Sequence, residues 1–169
     1  MKLPNKLARR VTEVGSYRFT LCQQLIENHS KFVLFICLNP STANAIADDA
    51  TSSKCIRLVK QWNENSPNKY GAVCITNLFA LRATKPKQMK AAKNPVGKGN
   101  DKYIIKAAQK ASLVIAAWGN QGSFQKRDKD ILRRLEGLKI KLCHFGLTKR
   151  GQPRHPLYLP GGTPPEPWN

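Results

Sequence analysis

Acidic residues are scarce in this 169-residue chain: 10 Asp and Glu stand against 29 Lys and Arg, leaving a formal charge of +19. That is well beyond the net charge of about 2 to 8 that keeps a small domain in solution. A field of one sign attracts polyanions, and nucleic acid is favoured as the partner over a membrane surface. Closely spaced cysteines are missing too. The five cysteines, at 22, 37, 55, 74 and 143, include no C-x-x-C pair, which disfavours a zinc ribbon, a dithiol redox motif and a cluster site. Cys37, Cys74 and Cys143 fall in predicted strands, read as small buried hydrophobes and imply a reducing cytoplasm. No metal and no other cofactor is expected. There is no signal-peptide pattern, and no apolar run approaches the ~20 residues that span a bilayer. Internal repeats and an interdomain linker are also absent. With 41% apolar residues the length suits one core, so the expectation is a basic arm over 1–12 and a single α/β domain over 13–169, a monomer in the cytoplasm.

What the chain does have is one organising stretch, Lys31 to Thr42. Seven apolar residues, Phe32 to Leu38, run without interruption and stop at Asn39-Pro40-Ser41-Thr42. This is the pattern of a strand buried on both faces that feeds a polar turn. Open α/β sheets place ligands at the carboxyl ends of parallel strands, so Asn39, with Pro40 and Ser41, marks the expected active corner.

The rest alternates between strand and helix signals. Tyr17 to Leu21 alternates large apolar and polar residues and predicts a half-buried edge strand. The loop after Asn39 carries Asp48 and Asp49, the only acids between Glu27 and Glu64, and leads to a helix over about 52–63 with Cys55, Leu58, Val59 and Trp62 on one face. Asp49 or Thr51 can cap that helix, which leaves capping and chemistry as equal readings of the acids. Residues 71–76 predict a second buried strand ending at Asn77. Residues 82–110 hold nine Lys or Arg and one acid. This basic excursion contains a short helix at 87–92 and a helix opened by Asn100. Leu113 to Ala117 predicts a third buried strand ending at Trp118-Gly119-Asn120, 125–136 a helix, and 139–143 an outer strand ending before His144. The Pro- and Gly-rich remainder reads as an ordered loop around His155, followed by a tail that docks Trp168. This rhythm predicts a three-layer α/β/α fold with a mostly parallel sheet of about four strands, plus a possible N-terminal edge strand.

The strand ends Asn39, Asn77, Trp118 to Asn120 and His144 are expected to converge. Amides such as Asn77 and Asn120 read nucleobase edges, Trp118 offers a stacking face, and His155 can stabilise a developing anion. Arg82, Lys85, Lys87, Lys149, Arg150 and Arg154 are the expected phosphate contacts on the rim.

Leu38-Asn39-Pro40, Ile75-Thr76-Asn77-Leu78, Leu113 to Gly119 and His155-Pro156-Leu157 resemble the ordered motif series of the uracil-DNA glycosylase superfamily. More closely, the runs Leu-Asn-Pro-Ser-Thr-Ala, Asp-Asp-Ala-Thr, Asn-Leu-Phe-Ala-Leu-Arg-Ala-Thr, Ala-Trp-Gly-Asn and Gly-Gln-Pro-Arg-His-Pro-Leu-Tyr are similar to a bacterial and phage family catalogued as domain of unknown function 1643. That likeness covers nearly all of residues 17–168. The glycosylase likeness implies that Asn39 orients the attacking water, Asn77 reads the flipped base and His155 stabilises the departing base anion. No Tyr or Phe follows Asn39-Pro40, where the glycosylases place a base-stacking aromatic. An amide also takes no proton near pH 7, so Asp49 or Asp48 is the candidate base.

The leading expectation is therefore an N-glycosidase-like enzyme on a modified or damaged base in DNA, favoured over RNA. The alternatives are a non-catalytic binder of a flipped or modified base and an enzyme acting on a free nucleotide.

Overall fold

A computed structural model describes residues 8–169, so the first seven residues of the expected arm lie outside the described residues. The uninterrupted apolar run becomes β3 (Phe32–Cys37). Its alternate side chains divide between two cores. Val33, Phe35 and Cys37 join Cys55, Leu58 and Val59 of α1 (Ala50–Glu64). Leu34 and Ile36, with Leu38 just beyond, join Ile104 and Ala108 of α3 (Asn100–Lys110) and Ile131 and Leu135 of α4 (Arg127–Gly137). A strand covered on both faces needs no polar side, which is why the run is continuous. Each fully buried aliphatic side chain in it contributes about 1.5–3 kcal/mol.

The fold is mixed α/β, built on a seven-stranded mixed sheet in the order β1-β2-β4-β3-β5-β6-β7. β4 (Ala72–Asn77), β3, β5 (Leu113–Ala116) and β6 (Cys143–His144) run parallel to their neighbours in that group. β1 (Arg9–Val14), β2 (Tyr17–Gln24) and β7 (Glu166–Pro167) are antiparallel additions. The expected strand count was too low at both flanks. Tyr17 to Leu21 lies in β2, an interior strand between β1 and β4, and the true edge is β1. Arg9, Arg10 and Thr12, expected in a loose arm, are in that edge, joined to β2 through Gly15 at φ 55°. The outer strand expected over 139–143 shrinks to Cys143 and His144. Lys139 turns into the left-handed region at φ 57°, and the Ile140 N–H is spent on the Leu135 carbonyl that ends α4. A residue that closes a helix in this way has no amide left for a sheet ladder.

The order of the parallel strands decides where a ligand can sit. From β3 the chain passes through α1 and steps to one side as β4. From β4 it passes through α2 (Pro86–Ala91) and α3 and returns to the other side of β3 as β5. Crossovers of one hand that step in opposite directions put their helices on opposite faces, and the two cores show α1 and α3 so placed. The chain thus reverses direction between β3 and β5, which opens a crevice beyond their carboxyl ends.

On the far side, β2 and β4 bring Cys22 and Cys74 into register, and the two form a disulfide with a Cα–Cα separation of 4.1 Å. This corrects the reading of Cys74 as a free buried thiol and removes the argument for a reducing compartment that leaned on it. Cys37 and Cys55 stay free and buried, and burial together with the neighbouring Cys37 thiol pushes the Cys55 thiol well up. No helix among the described residues is long and apolar enough to cross a membrane.

Candidate functional site

A cavity of about 490 Å³ opens at the β3/β5 crevice, within the range that holds small ligands. Leu38, Asn39 and Ser41 line it from beyond β3, and Trp118, Gly119 and Asn120 from beyond β5. Asp49 before α1, Thr84 and Pro86 at the start of α2, and His155 and Tyr158 of the proline-rich loop also line it. A smaller lobe of about 310 Å³ adjoins it, sharing Asn120, His155 and Tyr158 and adding Thr148 and Arg154. Asn39, Asp49, Trp118, Asn120, Ser41 and His155, scattered through the sequence, therefore share one cleft.

Asn77 does not reach it. Its side chain is buried at the end of β4, its carbonyl accepts from Asn100 Nδ2 at 2.8 Å, and its own Nδ2 has no partner. Pro40 is behind the wall, its carbonyl held by Asn39 Nδ2 and the Ala83 N–H. His144, at the end of β6, sits edge-on to Trp168 with ring centroids 5.4 Å apart and is not on the wall. Asp48 is turned away in a 2.6 Å ion pair with Arg9.

Local chemistry sets the state of each lining group. Asn39 Nδ2 donates to Pro40 O at 3.0 Å and to Ala83 O at 2.9 Å, which commits both amide hydrogens and leaves Oδ1 as the available acceptor. Asp49 is the α1 cap: Oδ1 accepts the Ser52 N–H at 2.8 Å, and the Asp49 N–H donates to Ser52 Oγ at 3.0 Å. Its Oδ2 accepts the Ala43 N–H at 3.3 Å. Capping and cavity-lining thus coexist in one carboxylate.

His155 Nδ1 accepts the Leu157 N–H at 3.2 Å. An amide only donates, so Nδ1 is bare and the ring proton is on Nε2. Burial pulls the His155 pKa below its ordinary value while the Asp49 charge pulls it back up. Near neutral pH the wall therefore carries a neutral imidazole with one N–H donor.

Trp118 has no exposed surface. Its Nε1 donates to Gln152 Oε1 at 2.9 Å, the Trp168 ring lies 6.0 Å away, and a Cβ on Gly122 would stand 2.0 Å from its Cδ1. It forms a fixed part of the wall rather than an open stacking platform. The open aromatic is Tyr158, 84% exposed at the rim, its ring 6.1 Å from that of His155. Tyr158 did not emerge from the sequence reading. A large aromatic in a Pro-rich loop, outside any apolar periodicity that would bury it, was the available signal.

The basic residues separate by role. Arg82 pairs with Glu13 and donates to Ala43 O at 3.0 Å, so it fastens the loop to β1. Arg18 donates to the same carbonyl at 2.9 Å from a buried position. A bulge that skips Phe19 between Thr20 and Arg18 turns it inward, and burial lowers its pKa against the pull of Asp49. Lys85 and Lys87 are exposed beside Thr84 and Pro86 of the cavity wall, and Lys149, Arg150 and Arg154 are exposed around the smaller lobe. Lys102, Lys106 and Lys110 recur every four residues along α3, with Lys98 just before its start, and all four are exposed. None is in an ion pair among the described residues. No group of three or more His, Cys, Asp or Glu among the described residues is placed to hold a metal ion.

No curated protein and no solved structure matches the chain. Residues 18–157, which run from the buried Arg18 through both strand ends of the crevice to the His155 loop, match the family model described as protein of unknown function (DUF1643), and the chain belongs to that family.

Proposed function

We propose that the protein acts on a nucleobase held in this cavity, most simply as an N-glycosidase-like enzyme on a modified or damaged base in DNA. The observation that carries the reading is the meeting of Asn39 and His155 on one wall at the chain-reversal crevice. We also infer a three-layer α/β/α arrangement related to the uracil-DNA glycosylase superfamily, which α1 on one face and α3 and α4 on the other support.

The chemistry follows from the states of the groups. Water adds to the sugar C1′ as the bond to the base breaks, and the bonding pair leaves with the base. Asn39 Oδ1 accepts a hydrogen bond from the water and orients it, while Asp49, the carboxylate on the wall, takes its proton. The Nε2–H of neutral His155 donates to the base as negative charge grows on it. Tyr158 at the rim stands in for the aromatic missing after Asn39-Pro40 and offers a stacking face to a base turned out of the helix. The unpaired lysines of α3 and the basic rim supply sequence-independent attraction for the phosphate backbone. Like charges four residues apart weaken a helix, so a role in holding a polyanion accounts for a ladder that folding alone disfavours.

Incubation with oligonucleotides bearing a panel of lesions and hypermodified bases, followed by mass spectrometry of strand and free base, tests the reading. Base release by the wild type that falls about a hundredfold or more in Asn39→Ala or His155→Ala supports it. One observation favours a second reading, a non-catalytic binder: both oxygens of Asp49 already accept backbone N–H groups. That reading predicts salt-dependent binding with no product. In either case, replacing Lys98, Lys102 and Lys106 by Ala lowers the slope of log K against log salt by about 0.9 per lysine on duplex DNA.

A further inference from the structure

A second groove, which shares no residue with either lobe of the cleft, lies against α3. It has a volume of about 800 Å³ and is lined by Lys98, Gly99, Lys102, Tyr103 and Lys106. Gly97 and Gly99, at φ 83° and 80°, hold Lys98 in the turn that opens the helix, and a Cβ on Gly99 would meet nothing within 4 Å. Lys98, Lys102 and Lys106 then recur at intervals of ~6 Å, four residues at ~1.5 Å each. No acid is among the lining residues. Asp101, the one carboxylate of α3, is turned to Arg127 at 2.6 Å and Arg134 at 3.6 Å. The ring in the groove, half-buried Tyr103, ends a row of near-parallel rings. Tyr17 and Phe19 have centroids 6.4 Å apart at 13°, and Phe19 and Tyr103 4.7 Å apart at 18°. The Tyr17 end is closed, since its hydroxyl donates to Asn94 O at 2.8 Å and a Cβ on Gly97 would stand 2.8 Å from its Cδ1. At the Tyr103 end no further ring follows among the described residues.

We infer that this groove is a docking site for single-stranded nucleic acid, in which an unpaired base extends the ring row on Tyr103 and the three lysines hold the phosphates beside it. Two independent features point to that partner. A row of exposed ammonium groups fits a polyanion, and an aromatic face at the end of a stack fits a base. A duplex offers the lysines its phosphates but keeps its base faces stacked inside. A polysaccharide polyanion has no flat ring to offer, so only a single strand satisfies both. The site involves neither Asn39 nor His155 and shares with the cavity reading only the attraction of the lysines for phosphate. Stacking does not read a base edge, so the groove tolerates sequence and holds strand beside the target rather than the target itself. Asn100, at the start of α3, closes over the carboxyl end of β4, which adjoins the β3 end that opens into the cleft. The groove therefore begins at the same end of the sheet as the cavity.

The test compares binding of three probes, oligothymidylate, its duplex with oligodeoxyadenylate, and heparin, to the full chain and its variants. Tyr103→Leu keeps Phe19 covered and removes the flat face. It should weaken oligothymidylate binding about tenfold and leave duplex and heparin within about twofold of wild type. Tyr103→Phe, which keeps the face, should bind all three as the wild type does. Lys102→Ala combined with Lys106→Ala should weaken all three, as loss of charge requires. The Tyr103 dependence should persist in Asn39→Ala and His155→Ala. Equal losses on all three probes in Tyr103→Leu, or no loss on oligothymidylate, overturn the inference. Oligothymidylate binding that depends on Asn39 and His155 but not on Tyr103 also overturns it, and leaves the nucleobase reading of the cleft standing. Tyr103-dependent binding with no base released from any modified oligonucleotide supports the groove and removes the enzyme reading of the cleft.

Discussion

Asn39 and Asn77 end neighbouring parallel strands, and Cys37 and Asn77 are partners in the β3/β4 ladder. Each asparagine closes a run of buried apolar residues, yet one faces the cavity and the other is sealed in the core. The difference is the neighbour on the far side. β3 adjoins β5 across the point where the chain reverses direction, and the space beyond their ends is left open as the cavity. β4 adjoins β2, and Asn100 from α3 closes over its end with two hydrogen bonds, to Asn77 O at 2.8 Å and Leu78 O at 3.1 Å. An amide lines a cavity where topology leaves an opening, and becomes a packing element where it does not.

The sharpest way to break this contrast is to remove the cavity-side groups. His155→Ala deletes a donor to a developing anion and should cost about 10²–10³ in turnover of a released base, with substrate affinity changing far less. A loss confined to affinity would make the cleft a binding site only. Gly122→Ala comes next. Its methyl would collide with Trp118, so thermal unfolding should show a loss of about 1–3 kcal/mol, and an unchanged Tm would mean the Trp118 side of the wall is free to move.

The pH response of the cavity side follows from His155, whose pKa burial lowers. The unfolded chain takes up a proton near the ordinary value of 6.5 that the folded chain refuses. Stability is therefore full above that pH and falls as the pH drops below it. Between about pH 7 and about pH 5, wild-type Tm should fall more steeply than that of His155→Gln; parallel slopes would contradict the burial of the ring. Asp49→Asn keeps a competent cap but removes the charge that props up His155. An NMR titration of the ring should then show a further downward shift, and an unchanged midpoint would place Asp49 too far away to matter.

The smallest effect belongs to the sealed side. Asn77→Leu keeps the branching at Cγ and discards a buried donor with no partner, which offsets the strain of a larger side chain, so base release should stay within about threefold of wild type and stability within about 1–2 kcal/mol. A hundredfold loss of activity there would erase the contrast between the two asparagines.

Much of the parallel core was legible because its signals are local. The apolar run of β3, the helical spacing of Cys55, Leu58 and Val59, and the Asp49 cap each depend on residues a few positions apart. The flanking strands β1 and β7 were not legible, and β6 only as the end of the strand expected over 139–143, for the opposite reason. β1 is six mostly exposed residues held by ladder bonds to β2, while β6 and β7 are two residues each. The Cys22–Cys74 bridge joins residues 52 apart through a register that no local pattern records. Tyr158 escaped notice because an exposed rim has no periodicity at all.

Composition and local pattern were enough to establish a strongly basic α/β chain whose cavity-lining polar residues Asn39 and Asn120 follow buried strands, since charge and amphipathic spacing are properties of short stretches. Which of those residues meet was settled by strand order. Asn39, Asn120 and His155 face one opening, and Asn77 is shut out, because hydrogen-bonded pairing between distant segments alone decides where a sheet leaves space beyond its strands.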